Sequence, residues 1–198
     1  MVFQQEGDGT VPTTNPATDQ TVVVREPMSL EEFFALDVEL IELVDGQPVL
    51  LSAATGPHQH AVLRLARILD DNRPADHRVL PSPIDWVLWS GDRPTVRQPD
   101  LAVVAVEEAR EKRLTRPPLL AVEVLSVSSV ERDLVAKRRD YARAGCEHYW
   151  IVNLAVPEVV VLAMHEGAYV EVGRLIGGKT GTISAPFKVT FDPSILLV

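Results

Sequence analysis

Residues 119–125 read Leu119-Leu120-Ala121-Val122-Glu123-Val124-Leu125, a nearly unbroken apolar run with one carboxylate inside it. A strand with one wet face alternates apolar and polar residues, so a continuous run marks a strand covered on both faces. Downstream, Ser128 or Ser129 is placed to cap a helix running to about Ala144, and Gly145 is placed to end it. Further strands are expected at His148 to Val152, Val159 to Met164 and Tyr169 to Leu175, the last two joined at Glu166-Gly167. Upstream, strands are expected around Val79-Leu80, Ile84 to Trp89 and Asp100 to Val106. Between His58 and Asp71, Val62, Leu65, Ala66 and Leu69 recur at helical spacing.

Nearer the start, Leu40 to Val44 and Val49 to Ser52 flank Asp45-Gly46, a hairpin signal. Pro48 makes the return strand an edge or irregular one. Ser29-Leu30-Glu31-Glu32 matches a capping box opening a short helix. Residues 1–26, rich in Thr, Gln, Gly, Asp and Pro, read as a disordered leader, and 27–198 as one folded domain. The order of helix, strand meander, helix and strand predicts a mixed α/β or α+β fold.

The chain has 198 residues, 46% of them hydrophobic, which suits a globular core. No apolar run approaches the roughly 20 residues of a membrane-spanning helix. No charged-then-apolar secretory pattern opens the sequence, and Cys146 is the single cysteine, so a reducing cytoplasm is expected. A net charge of −9 opposes nucleic-acid binding as a whole. The charge is unevenly spread. Residues 110–143 hold nine Lys/Arg and five Asp/Glu, a zone of +4 against −13 elsewhere. That zone is either a local docking patch or a set of solvated helix faces.

Three charged residues stand where a plain core would not put them. Glu123, inside a doubly covered strand, must be neutralised, hydrogen-bonded or bound to a metal. Asp100 heads the apolar strand 101–104 and is either a turn residue after Pro99 or a partner for Glu123. Lys137 falls within the helical stripe of Val130, Leu134, Tyr141 and Ala144. It either aims at Glu123 or snorkels outward to pair with Asp133. Two carboxylates on neighbouring strands can hold a hard cation, and a lysine beside them can orient water or steady developing charge. Such a device hydrolyses phosphodiesters. His58 with His60 has no further His or Cys at ligand spacing, so zinc is not expected. Trp86, Trp89, Trp150 and Tyr141 read as core or interface residues before any base-stacking role.

The ordered set Glu42-Leu43-Val44-Asp45-Gly46, His58-Gln59, Gln98-Pro99-Asp100-Leu101, Val122-Glu123-Val124-Leu125-Ser126, Arg132-Asp133 with Lys137 and Tyr141, and Gly145 to Val152 resembles the Uma-two type of restriction endonuclease. That family is a branch of the PD-(D/E)XK nucleases. The likeness runs from about Pro27 to Val198. It implies a restriction-endonuclease-like domain with a central mixed sheet flanked by helices. It also implies Asp100 and Glu123 as ligands of Mg²⁺ or Mn²⁺, and cleavage of DNA. Glu42 matches an early acidic position, as a ligand or a holder of a metal-bound water, or else is an exposed hairpin residue. His58 matches a helix-opening histidine that approaches the substrate or the acidic cluster, or else caps its helix. Leu125 departs from the superfamily pattern, which has lysine two residues after the second acid, so Lys137 must supply that charge. A two-fold dimer would suit cutting both strands. The alternative is a catalytically idle nuclease fold that binds nucleic acid or a protein partner.

Overall fold

A computed structural model of the chain describes residues 26–36, 38–125 and 131–198, with only the backbone for 131–134. The expected leader (apart from Glu26), the helix cap at Ser128 or Ser129, and the side chains of Val130, Asp133 and Leu134 lie outside the described residues.

Strand β7 (Leu120–Leu125) runs through the middle of a six-stranded sheet. Its neighbours are β6 (Leu101–Ala105), antiparallel, and β8 (His148–Asn153), parallel. A parallel pair needs a crossover, and helix α3 (Glu131–Arg143) supplies it. The sheet continues through β9 (Glu158–His165) to β10 (Ala168–Ile176) on one side, and ends at β3 (His77–Pro81) on the other. The sheet is therefore mixed, as the family resemblance implied, and β7 is a strand within it, as the apolar run at 119–125 predicted.

Side-chain alternation divides the core between the two faces. Leu120, Val122 and Val124 pack with Leu101, Val103 and Trp150 against α2 (Gly56–Asn72), through its Ala61, Leu65 and Leu69. The opposite face gathers Ala102, Val104, Ala121 and Tyr149 around Tyr141 of α3, with Trp86. Trp86, Tyr141 and Trp150 are fully buried, as expected of core aromatics. A hairpin of β11 (Gly181–Ile183) and β12 (Val189–Phe191), not legible in the sequence, closes the α2 side.

A second sheet has the order β2-β1-β5-β4, from β1 (Ile41–Val44), β2 (Gln47–Leu50), β4 (Trp86–Trp89) and β5 (Thr95–Arg97). Helix α1 (Leu30–Ala35) covers it through Phe33, which joins Ile41, Leu43 and Val96 in a separate cluster. The capping box is formed: Ser29 Oγ accepts from the Glu32 amide, and the Ser29 amide donates to Glu32 Oε2 at 2.8 Å. At the hairpin, Asp45 (φ 49) and Gly46 (φ 78) both take left-handed backbone. That two-residue turn pairs Val44 with Gln47, so the return strand runs from Gln47 to Leu50, two residues earlier at each end than the expected Val49 to Ser52. β2 is an exposed edge, which is where a proline can sit. A side chain at position 46 would also meet Pro27, its Cβ falling 2.5 Å from the Pro27 Cβ.

Candidate active site

Alternation along β7 decides where Glu123 points. Ala121 packs on the α3 face, so Glu123, two residues on, faces the same helix. Helix α3 ends in a Schellman motif: the Cys146 amide donates to the Tyr141 carbonyl and the Gly145 amide to that of Ala142, with Gly145 at φ 83. This stop fixes the last turns of α3 over the sheet. Lys137 and Tyr141, four residues apart, then share the inward side.

Lys137 Nζ lies 3.1 Å from both Glu123 oxygens, and the Tyr141 hydroxyl donates to Glu123 Oε1 at 2.7 Å. Lys137 is 7% exposed, so it does not snorkel. Its third contact is with Glu42 Oε1, at 3.2 Å.

Glu42 is 1% exposed, which rules out the exposed-hairpin reading. Its Oε1 also accepts the Gln98 amide at 2.9 Å, and its Oε2 accepts from Arg97 Nη1 at 2.8 Å. Arg97 turns the rest of its fork to Asp140 Oδ2, with Nη2 at 2.6 Å and Nε at 3.2 Å. Arg97 and Asp140 were not among the residues singled out in the sequence. Asp140 had a legible signal, since it lies three residues after Lys137 on the same helix. Arg97 occupies a three-residue strand, too short for any periodic pattern to mark.

Asp100 completes the group. The antiparallel pairing of Leu101 with Val122, taken one step further, sets Asp100 beside Glu123. Asp100 Oδ2 accepts the Val124 amide at 2.7 Å and lies 3.2 Å from His58 Nε2. Thr55, not His58, caps α2, which leaves the His58 ring for Asp100. The side chains of Asp100 and His58 are 19% and 11% exposed, against 1% for Glu42, so the pocket opens on the Asp100 side.

Charge is unbalanced here. Glu42, Glu123 and Asp140 are buried with Arg97 and Lys137, and half-buried Asp100 adds a fourth carboxylate. Four acids face Arg97, Lys137 and the His58 ring, and among the described residues the exposed Arg139 reaches Asp140 from outside. Burial pushes the Glu123 carboxyl up to about 7; the Lys137 charge opposes this and the Asp100 and Glu42 charges add to it. For Lys137, burial favours the neutral amine, but Glu123, Glu42 and Asp100 outweigh it and hold the ammonium above its usual range. The Tyr141 hydroxyl is pushed well up, by burial first and by Glu123 next, so it remains a donor.

Excess negative charge and a carboxylate inclined to hold a proton both fit a cation. Among the described residues, Glu123 Oε1 accepts twice, Oε2 accepts from Lys137 alone, and both contacts of Asp100 use Oδ2. Glu123 Oε2 and Asp100 Oδ1 therefore keep acceptor capacity. Among the described residues, no group of three or more His, Cys, Asp or Glu is arranged to hold a metal ion by itself. Two carboxylates suffice for Mg²⁺ when water and phosphate oxygens complete its shell.

Part of the basic zone is engaged within the fold. The Arg113 guanidinium lies over Phe34 and that of Arg143 over Trp89, while Arg138 donates to the Tyr169 carbonyl at 2.6 Å. Among the described residues, no helix is long and apolar enough to cross a membrane.

A family model, Uma2, described as “Putative restriction endonuclease”, matches residues 30–194. Among solved structures, the chain is similar to a crystal structure described as a putative nuclease from Anabaena variabilis. The two share 15% identity with a TM-score of 0.64, over 81% of this chain and 90% of that one, a likeness of fold. No curated protein matches the chain.

Proposed function

The chain belongs to the Uma2 family, described as “Putative restriction endonuclease”, and from that premise we propose that it is a metal-dependent endonuclease hydrolysing phosphodiester bonds in DNA. One observation carries this reading. An ammonium from α3, a carboxylate from β7 and a second, partly exposed carboxylate at the head of β6 come together in one cluster.

Asp100 and Glu123 would hold Mg²⁺ or Mn²⁺. When bound, the ion supplies Lewis-acid stabilisation of charge developing on the phosphate. Lys137 adds a fixed positive charge beside Glu123, where it steadies that charge or orients the attacking water. Tyr141 keeps Glu123 in place, and His58 steadies Asp100 at the open side. A migrated lysine can stand in for the usual one, because the position of the ammonium matters rather than its place in the sequence.

The test is cleavage of plasmid DNA in Mg²⁺ or Mn²⁺, with chelator controls and the variants Asp100→Asn, Glu123→Gln and Lys137→Met. Loss of cleavage in all three supports the reading. Wild type and variants behaving alike would overturn it. Leu125 at the usual lysine position favours a second reading, an idle nuclease fold that binds nucleic acid or a protein. Retention of DNA on a gel without cleavage in either ion would select that one. Cutting both strands suits a two-fold dimer, which a mass from light scattering tests.

A further inference from the structure

The proposed hydrolysis makes no use of the Glu42–Arg97–Asp140 chain, yet all three residues are at most 3% exposed. Burying ion pairs is costly, and well-packed apolar residues in their place are often as stable or more so. Stability alone is therefore a weak reason for such a chain. Its geometry suggests another. Asp140 stands one turn beyond Lys137 on α3, and Arg97 holds it with two nitrogens. The third nitrogen of the same fork holds Glu42, whose Oε1 meets the Lys137 ammonium at 3.2 Å. Glu42 is also fixed by the Gln98 amide and has almost no solvent contact.

We propose that Arg97 is a positioning residue for the Lys137 ammonium, acting through Glu42 and through Asp140 on the same helix. Glu42 then serves to seat the lysine, rather than to bind an ion. The consequence for catalysis rests on the nuclease reading above; the seating itself does not. Arg97 suits the task because its planar fork presents separate nitrogens in fixed geometry, two to Asp140 and one to Glu42, which a lysine's single nitrogen does not.

The experiment uses the full chain with two readouts. The first is hydrogen exchange of the Lys137 ammonium by ¹⁵N NMR of lysine-labelled protein, its signal assigned with Lys137→Met. The second is plasmid cleavage in Mg²⁺, separated into kcat and KM. Arg97→Gln is expected to speed exchange markedly and to lower kcat on the order of 100-fold, as a misplaced catalytic group does, with KM little changed. Arg97→Lys should restore part of each. If Arg97→Gln does not fold, the neutral pair Glu42→Gln/Arg97→Gln carries the same measurements. The double variant should lose less than the sum of the two single losses, because both act on one seat. Unchanged exchange and unchanged kcat in a folded variant would overturn the proposal, as would fully additive losses. If wild type cleaves nothing, the nuclease reading fails, and the exchange measurement decides the seating of Lys137 by itself.

Discussion

The Lys137 ammonium stands 3.1 Å from each oxygen of Glu123, a helix residue closing over a carboxylate of the central strand. Both groups are buried, so each depends on the other for its charge.

Removing one partner should therefore cost more than removing both. Lys137→Met leaves a buried carboxylate unpaired and is expected to destabilise by about 3–5 kcal/mol. Glu123→Gln/Lys137→Met should recover much of that. Urea unfolding of the single and double variants measures it, and a double-variant loss equal to the sum of the two single losses would show that the pair is not coupled.

The raised Glu123 carboxyl predicts a pH dependence with a definite sign. Its ordinary value is 4.5 and its folded value is about 7, so the folded state binds more protons between those limits. This group's contribution to stability thus falls as pH rises from about 4.5 to 7. A cation competes with that proton. The rise in Tm on adding Mn²⁺ should be small at pH 5.5 and larger at pH 8, and Asp100→Asn should abolish it. A Tm rise independent of pH would disconnect the ion from Glu123.

The hydrogen bond that His58 donates to Asp100 raises the His58 imidazolium above its usual 6.5, against the opposing effect of burial. Its stabilisation is fully present below pH 6.5 and is lost as pH rises through the folded value. The stability gap between wild type and His58→Asn should accordingly shrink from pH 6 to pH 9. Chemical denaturation at several pH values gives the gap. A constant one would mean that His58 acts through packing.

Tyr141→Phe deletes the hydroxyl that donates to Glu123 Oε1 at 2.7 Å. Hydrogen bonds to charged groups contribute about 1.5–3 kcal/mol, and a loss of that order is expected. That bond also favours the charged carboxylate, so its removal should move Glu123 further above 7. The Mn²⁺ thermal-shift profile would follow to higher pH. If stability drops while that profile stays put, the tyrosine is only a core residue.

Much of the architecture was legible because it rests on local rules. The run at 119–125 announced a central strand, Asp45-Gly46 a tight hairpin, Ser29 with Glu32 a capping box, and Gly145 a helix end. The short strands at 95–97, 181–183 and 189–191 were not legible, because three residues carry no period. The misplacement of Glu123 and Lys137 in apolar stripes was also visible, and the structure brings them together with Asp100, Glu42 and His58.

Sequence alone determined which residues are at odds with their surroundings, since apolar period and capping depend on neighbours within about four positions. Tertiary structure decided what those residues meet. Glu42 and Arg97 are 55 residues apart, and Arg97 and Asp140 are 43 apart. Glu42 and Arg97 meet across the paired strands β1 and β5 of the second sheet, and Asp140 reaches Arg97 only because helix α3 packs against that sheet. Desolvation and charge in that shared interior, which no local pattern encodes, set the protonation of Glu123 and the seat of Lys137.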